Sequence, residues 1–406
     1  MMYATRRQFL SAALGASVVS LAPTVPQFLR EAAAGERSSG ENILVVVQLS
    51  GGNDGLNTIV PFADEEYYRN RPQLAIAKEQ VLKINAEQGF HPSMRGCAEL
   101  LENGRLAVIQ GVGYPNPNRS HFESMDIWHT CRRKDEARPD GWLGRYLDRS
   151  YRPSDSDASA LHVGAGAQPF ALMAQRVRVP SVRSIDRFRF QGDPAVRSAA
   201  HDLAVINRHE ENDLLGFVQS TTTTALTTSE RIEQASQGYQ TSVRYPSSAI
   251  AEQLRLVAQL IDAGLTTRIY YLELGGFDTH ANQAQAHAGL LEHVSSGLSA
   301  FLADLDSHGH VDRAAVVCFS EFGRRVQENA SKGTDHGAAG PILVASPRVN
   351  PGLIGPHPSL TDLEDGDLRH HTDFRQVYAA LLEHWLGWDS EPVLGGEFSP
   401  IPLFQG

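Results

Sequence analysis

Short, mostly apolar runs alternate along this chain with longer stretches whose apolar residues recur at helical spacing. The runs lie at 43–49, 106–110, 268–274, 314–319 and 342–345. The first reads Ile-Leu-Val-Val-Val-Gln-Leu, with almost no polar alternation, as expected of a strand covered on both faces. Helices are predicted over 92–103, from Ser120 to about Cys131, over 142–147, over 283–307 and from about Thr372 to Leu386. Gly104 and Gly387 supply the stops of the first and last. Between 133 and 210 the pattern weakens, with 158–163 and 170–172 read as strands. It turns mostly helical from about Glu210 to Gly264. Strands alternating with helices predict an α/β fold, a three-layer αβα sandwich around a mainly parallel sheet. No repeat of 20–50 residues is visible.

The ends and the charge narrow the picture. Thr5-Arg6-Arg7-Gln8-Phe9-Leu10 is a twin-arginine motif, followed by a mildly apolar stretch and by Ala32-Ala33-Ala34. Residues 1–34 are therefore expected to be a signal peptide that directs twin-arginine export to the periplasm or beyond. The stretch is too short, and too rich in Gly, Ser and Pro, to span a bilayer. The rest is expected to be one domain over 42–390, with a less regular insertion around 133–260 and a tail at 391–406. A formal charge of −11 argues against a nucleic-acid backbone as partner. No integral membrane segment is expected after signal removal. Three cysteines, Cys97, Cys131 and Cys318, make no disulfide framework, and a single Cys97–Cys131 bridge is left open.

The candidate chemistry follows the strand-like runs. In open α/β sheets, ligands bind beyond the carboxyl ends of the strands. Asp54 lies in Gly-Gly-Asn-Asp-Gly after the first run, where it would bind a metal or cap its own turn. Asp278 and His280 lie in Gly-Gly-Phe-Asp-Thr-His. A carboxylate with an imidazole suits Zn, Mn or Fe better than Ca; the plainer alternative is a helix cap beside a surface histidine. Glu321 is either a ligand or a salt-bridge partner of Arg324 or Arg325, and His336 of Asp335-His336-Gly is a further ligand candidate. Ser120, at a helix start, is a candidate nucleophile with His121 beside it, or else a capping box with Glu123. Asn53, Arg119 and Arg324 are the candidate substrate contacts, since guanidinium matches phosphate or sulfate oxygens. His371 is a reserve ligand.

Leu-Ser-Gly-Gly-Asn-Asp-Gly-Leu-Asn-Thr, Arg-Ser-His-Phe, Gly-Gly-Phe-Asp-Thr-His, Ser-Glu-Phe-Gly-Arg, Asp-His-Gly and Thr-Asp-Phe-Arg-Gln-Val-Tyr together resemble the bacterial domain-of-unknown-function 1501 family. The resemblance runs from about Asn42 to the last helix. That family is grouped by similarity with alkaline phosphatases, sulfatases and phosphomutases. The resemblance implies an alkaline phosphatase-like fold and a site with one or two metals. Position by position, it places the first-strand Asp at Asp54, the nucleophile nearest Ser120, and an Asp and His at Asp278 and His280. It places an Asp-His pair at Ser320 and Glu321, and the last His at His336. The Ser-Glu replacement and the shorter Asp-to-His spacing depart from that pattern. The Cys/Ser-x-Pro-x-Arg signature of formylglycine sulfatases is not visible near Ser120.

The expectation is an exported, metal-dependent hydrolase of phosphate or sulfate esters, with one or two divalent ions (Zn, Mn or Fe) held by Asp54, Asp278, His280, Glu321 and His336. Its substrate would be a small anionic ester. Two alternatives differ in class. One is a catalytically degenerate extracytoplasmic binding or assembly protein, which would have a protein partner. The other is a metal-free esterase similar to SGNH enzymes, whose Gly-x-Asn-Asp block Gly51–Asp54 resembles; the Gly-Asp-Ser block that should precede it is absent.

Overall fold

A computed structural model describes residues 41–152, 157–183 and 238–405. The predicted signal peptide, and residues 210–237 of the predicted helical stretch, lie outside the described residues.

A nine-stranded sheet forms the centre. In chain order its strands are β1 (Ile43–Ser50), β2 (Leu106–Gly113), β3 (Ala160–Val163), β4 (Ser181–Val182), β5 (Ile269–Gly275), β6 (Ala314–Phe319), β7 (Gly340–Ala345), β8 (Gly352–Ile354) and β9 (Thr372–Asp373). The spatial order is β8-β2-β7-β6-β1-β5-β3-β4, with β9 also paired to β2. Strand β1 runs parallel to both β5 and β6. Only β7 opposes its neighbours, β2 and β6. The carboxyl ends of β1, β5 and β6 therefore open onto one edge.

Side-chain alternation along β1 assigns the two faces. Ile43, Val45, Val47 and Leu49 pack with helices α1 (Arg95–Glu102), α4 (Ala249–Asp262) and α5 (Gln283–Ser307). Leu44 and Val46 pack with α2 (His121–Thr130), α3 (Trp142–Ser150) and α6 (Phe374–Ala380). This is the predicted three-layer αβα arrangement around a mainly parallel sheet.

Several elements depart from the sequence reading. The segment Phe170–Leu172 is a 3-10 turn, not a strand. Part of the supposed insertion belongs to the sheet, because β3 and β4 extend it beyond β5. The last helix starts later than expected. Thr372 and Asp373 pair with β2, and Asp373 then caps α6 in a capping box with Gln376. The tail is anchored: Leu403 and Phe404 are buried, and Phe404 bridges Val349. All three thiols are free, and Cys97 and Cys131 sit in clusters on opposite faces of the sheet, so they form no bridge.

Candidate metal centre at the strand ends

Three loops, one hairpin and the N-terminus of α2, which carries His121, build the site. The first loop leaves β1 through Gly51, whose φ is +122°. A Cβ there would strike the backbone nitrogen of Asp278, so glycine lets the β1 and β5 loops touch. The second loop leaves β5 through Phe277 and Asp278, and the third leaves β6 through Ser320 and Glu321. The hairpin pairs Arg324–Glu328 with Thr334–His336, setting Arg324 opposite His336.

Asp278 is the meeting point. His336 Nε2 and His280 Nε2 each stand 3.0 Å from Asp278 Oδ1, and 2.9 Å from each other. On the other side, His121 Nε2 is 3.5 Å from Asp278 Oδ2. His121, Asp278 and His336 each offer a ligand atom within 4.8 Å of the others.

The distal nitrogens of the three rings are all occupied. His336 Nδ1 lies 2.8 Å from the Arg119 carbonyl, His121 Nδ1 2.8 Å from Glu321 Oε1, and His280 Nδ1 3.4 Å from Asp335 Oδ1. An acceptor at Nδ1 would hold the proton there and leave Nε2 to a metal, the usual outer-shell arrangement of a metal-binding histidine; without an ion, His336 Nε2 donates to Asp278 Oδ1. His121 Nε2 is buried without a hydrogen-bond partner. His121, Asp278 and His336 could hold a divalent metal ion, with His280 beside them; imidazole ligands suit Zn or Fe.

Electrostatics agree. Burial opposes ionisation of Asp278, but hydrogen bonds from Arg324 and His336 and the charges of Arg324 and His280 outweigh it. The carboxyl is held well below the usual range. The Glu321 hydrogen bond raises the His121 pKa against the opposing effect of burial. Asp335 is lowered first by its bond from Asn329, with His280 and Arg325 adding.

Residues 41–394 match the family described as Protein of unknown function (DUF1501). The chain belongs to this family. Comparison with curated proteins returned no match. Among solved structures, the chain is similar to a sulfatase, PsFucS1, from Pseudoalteromonas sp., at 10% identity and a TM-score of 0.40, covering 93% of this chain and 75% of that one. It is also similar to a protein in the alkaline phosphatase superfamily from Vibrio parahaemolyticus, at 8% identity and a TM-score of 0.39, covering 88% and 69%. A third is the phosphonate monoester hydrolase SpPMH from Silicibacter pomeroyi, at 10% identity and a TM-score of 0.37, covering 88% and 75%. These likenesses are distant, and the site rests on its own geometry.

In this DUF1501 chain, several candidates stand elsewhere than the sequence suggested. Asp54 is fully buried behind the centre, where Arg71 Nη1 meets its Oδ2 at 2.6 Å and Gln283 donates to the same oxygen. Arg71 also donates to Asn57 and to the carbonyls of Arg325 and Val326, so Asp54 ties the β1 loop to the hairpin. Glu321 is 1% exposed and accepts from the Gly51 N–H and the Ser320 hydroxyl as well as facing His121, so both its oxygens are engaged within the protein. Arg324 is 2% exposed, with its donors on the carbonyls of Gly51, Gly52, Phe277 and Thr334 and on Asp278. It braces Asp278 and is closed to substrate. Asn53 is buried, accepting from Thr58 and facing His287, so it makes no substrate contact. His371 faces the Pro356 carbonyl, away from the cluster. Glu123 pairs with Arg138, so the alternative reading of a capping box at Ser120 is not met, and the Ser120 side chain is exposed with no capping bond. The sequence reading passed over Arg71, Gln283 and His287, whose roles depend on contacts distant along the chain.

Proposed function

We propose that this protein is a metal-dependent hydrolase of phosphate or sulfate esters. One observation carries the reading: three imidazole Nε2 atoms surround the Asp278 carboxylate, each with its Nδ1 facing an acceptor. Asp278, His280, His336 and His121 would hold one divalent ion, Zn, Mn or Fe in type. Asp54 and Glu321 are engaged elsewhere, which favours one ion over two. Bound there, the ion would supply Lewis-acid chemistry, polarising the ester and activating a nucleophile.

The chain's own residues divide the remaining work. Ser120, exposed one residue before His121, would attack the ester. Glu321 would fix the His121 ring for its ligand role. Arg324 keeps Asp278 ionised. We further propose export through residues 1–34, on the Thr5–Leu10 motif. Among the described residues, no helix is long and apolar enough to cross a membrane.

Elemental analysis of protein purified without chelator tests the metal. One equivalent, absent from Asp278→Ala together with ester turnover, is expected. A metal-free wild type that takes up no Zn, Mn or Fe on dialysis would overturn the reading and turn attention to the binding-protein alternative.

A further inference from the structure

With Arg324 sealed beneath the site, the ester's anion needs another cationic contact. Successive residues on a strand face opposite ways. Arg324 therefore points inward and Arg325 outward, its side chain 36% exposed. Arg325 Nε lies 3.6 Å from Oδ1 of Asp367. Arg119 donates to the other oxygen of the same carboxylate, through Nε at 2.7 Å and Nη2 at 2.6 Å, and its side chain is 38% exposed. Asp367 itself is 3% exposed on its side chain. Both arginines adjoin the metal cluster along the backbone. The Arg119 carbonyl faces His336 Nδ1, and Arg325 follows the residue paired with His336.

A purely structural ion pair would use this geometry differently. Arg325 would fork onto Asp367 Oδ1, yet that buried oxygen has no hydrogen-bond partner. Two guanidinium groups share the Asp367 carboxylate, with Asp335 acting on Arg325 and Asp365 on Asp367 as further charges nearby. Among the described residues, neither Arg119 Nη1 nor the terminal nitrogens of Arg325 have a hydrogen-bond partner. Planar, partly exposed donors match the oxygens of a tetrahedral oxyanion.

We propose that Arg119 and Arg325, held together by Asp367, form the clamp that receives the phosphate or sulfate head of the substrate. This inference rests on the hydrolase reading for the word substrate, but its oxyanion contacts need no metal. The test is calorimetric titration of inorganic phosphate into the full-length protein, metal-free and Zn-loaded. Wild type is expected to bind in both forms. Arg325→Ala should weaken binding at least tenfold in each, and Arg325→Lys should recover part of the loss. Arg119→Lys, which keeps a charge near Asp367 and so protects the fold, should also weaken it. Asp278→Ala should lose the metal and still bind phosphate as metal-free wild type does. Unchanged affinity in Arg325→Ala and Arg119→Lys, or no binding by metal-free wild type, would overturn the clamp. Failure to take up metal would sink the hydrolase reading alone.

Discussion

Asp54 and Asp278 are both aspartates beyond a parallel strand, yet their surroundings set them apart. Asp54 and Arg71 are a fully buried ion pair. Removing one partner of such a pair leaves an uncompensated charge and costs about 3–5 kcal/mol. Asp54→Ala is therefore expected to lower the melting temperature sharply while the folded fraction keeps its metal; loss of metal from well-folded Asp54→Ala would make it a ligand after all. Asp278 is partly exposed, but it is the carboxylate that meets the buried Arg324 guanidinium, so Asp278→Ala should remove metal and also lower the melting temperature, while Asp278→Asn should remove metal at a smaller cost. For His121 the pKa is raised chiefly by Glu321. A raised pKa makes the protonated ring a source of stability present below about 6.5 and lost as pH rises through the folded value. In metal-free protein, Glu321→Gln should move the His121 imidazole titration downward, as followed by NMR. An unmoved titration would show that the pair is not coupled.

At the scale of elements, the loops owe their placement to backbone contacts that only small residues permit. Gly333, in the hairpin, would drive a Cβ into the backbone of His280. Gly333→Ala should displace His280 and weaken metal binding without touching a ligand, measurable by competition with a chelator. Helix α6 illustrates a local device of the ordinary kind. Asp373 accepts from the Arg375 N–H, and Gln376 accepts from the Asp373 N–H. Asp373→Ala should cost about 1 kcal/mol, read from chemical denaturation. The cap itself was legible in the chain. The pairing of Thr372 and Asp373 with β2 was not, because two residues of strand carry no periodicity.

Over the whole molecule, the buried histidines set the response to acid. Desolvation lowers the pKa of His287 to about 4 and that of His129 to about 3. An unfolded histidine titrates near 6.5, on the order of the model-peptide value. Below that pH the unfolded chain takes up protons that the folded chain refuses, so stability falls from about pH 6.5 toward 4. His121 and His308, with raised values, oppose this trend. His287 and His129 are buried more deeply and should dominate. Metal-free protein should melt at a lower temperature at pH 5 than at pH 7.5, and His287→Gln should flatten the slope. A melting temperature independent of pH across that interval would refute the balance.

The chain by itself determined the parallel strands, most helices and the Gly-rich segments after the strands that carry the chemistry. Those features are local: unbroken apolar runs need burial on both faces, and Gly-rich segments after them need turns. What the tertiary structure decided is which polar residues face one another. Asp54, Glu321 and Arg324 share the residue types of a metal or anion site. Each is instead satisfied by a partner far along the chain: Arg71 for the first, Gly51 and His121 for the second, and four backbone carbonyls for the third. Burial penalises a polar group left without a partner, and those pairings arise only when the sheet brings its strand ends together.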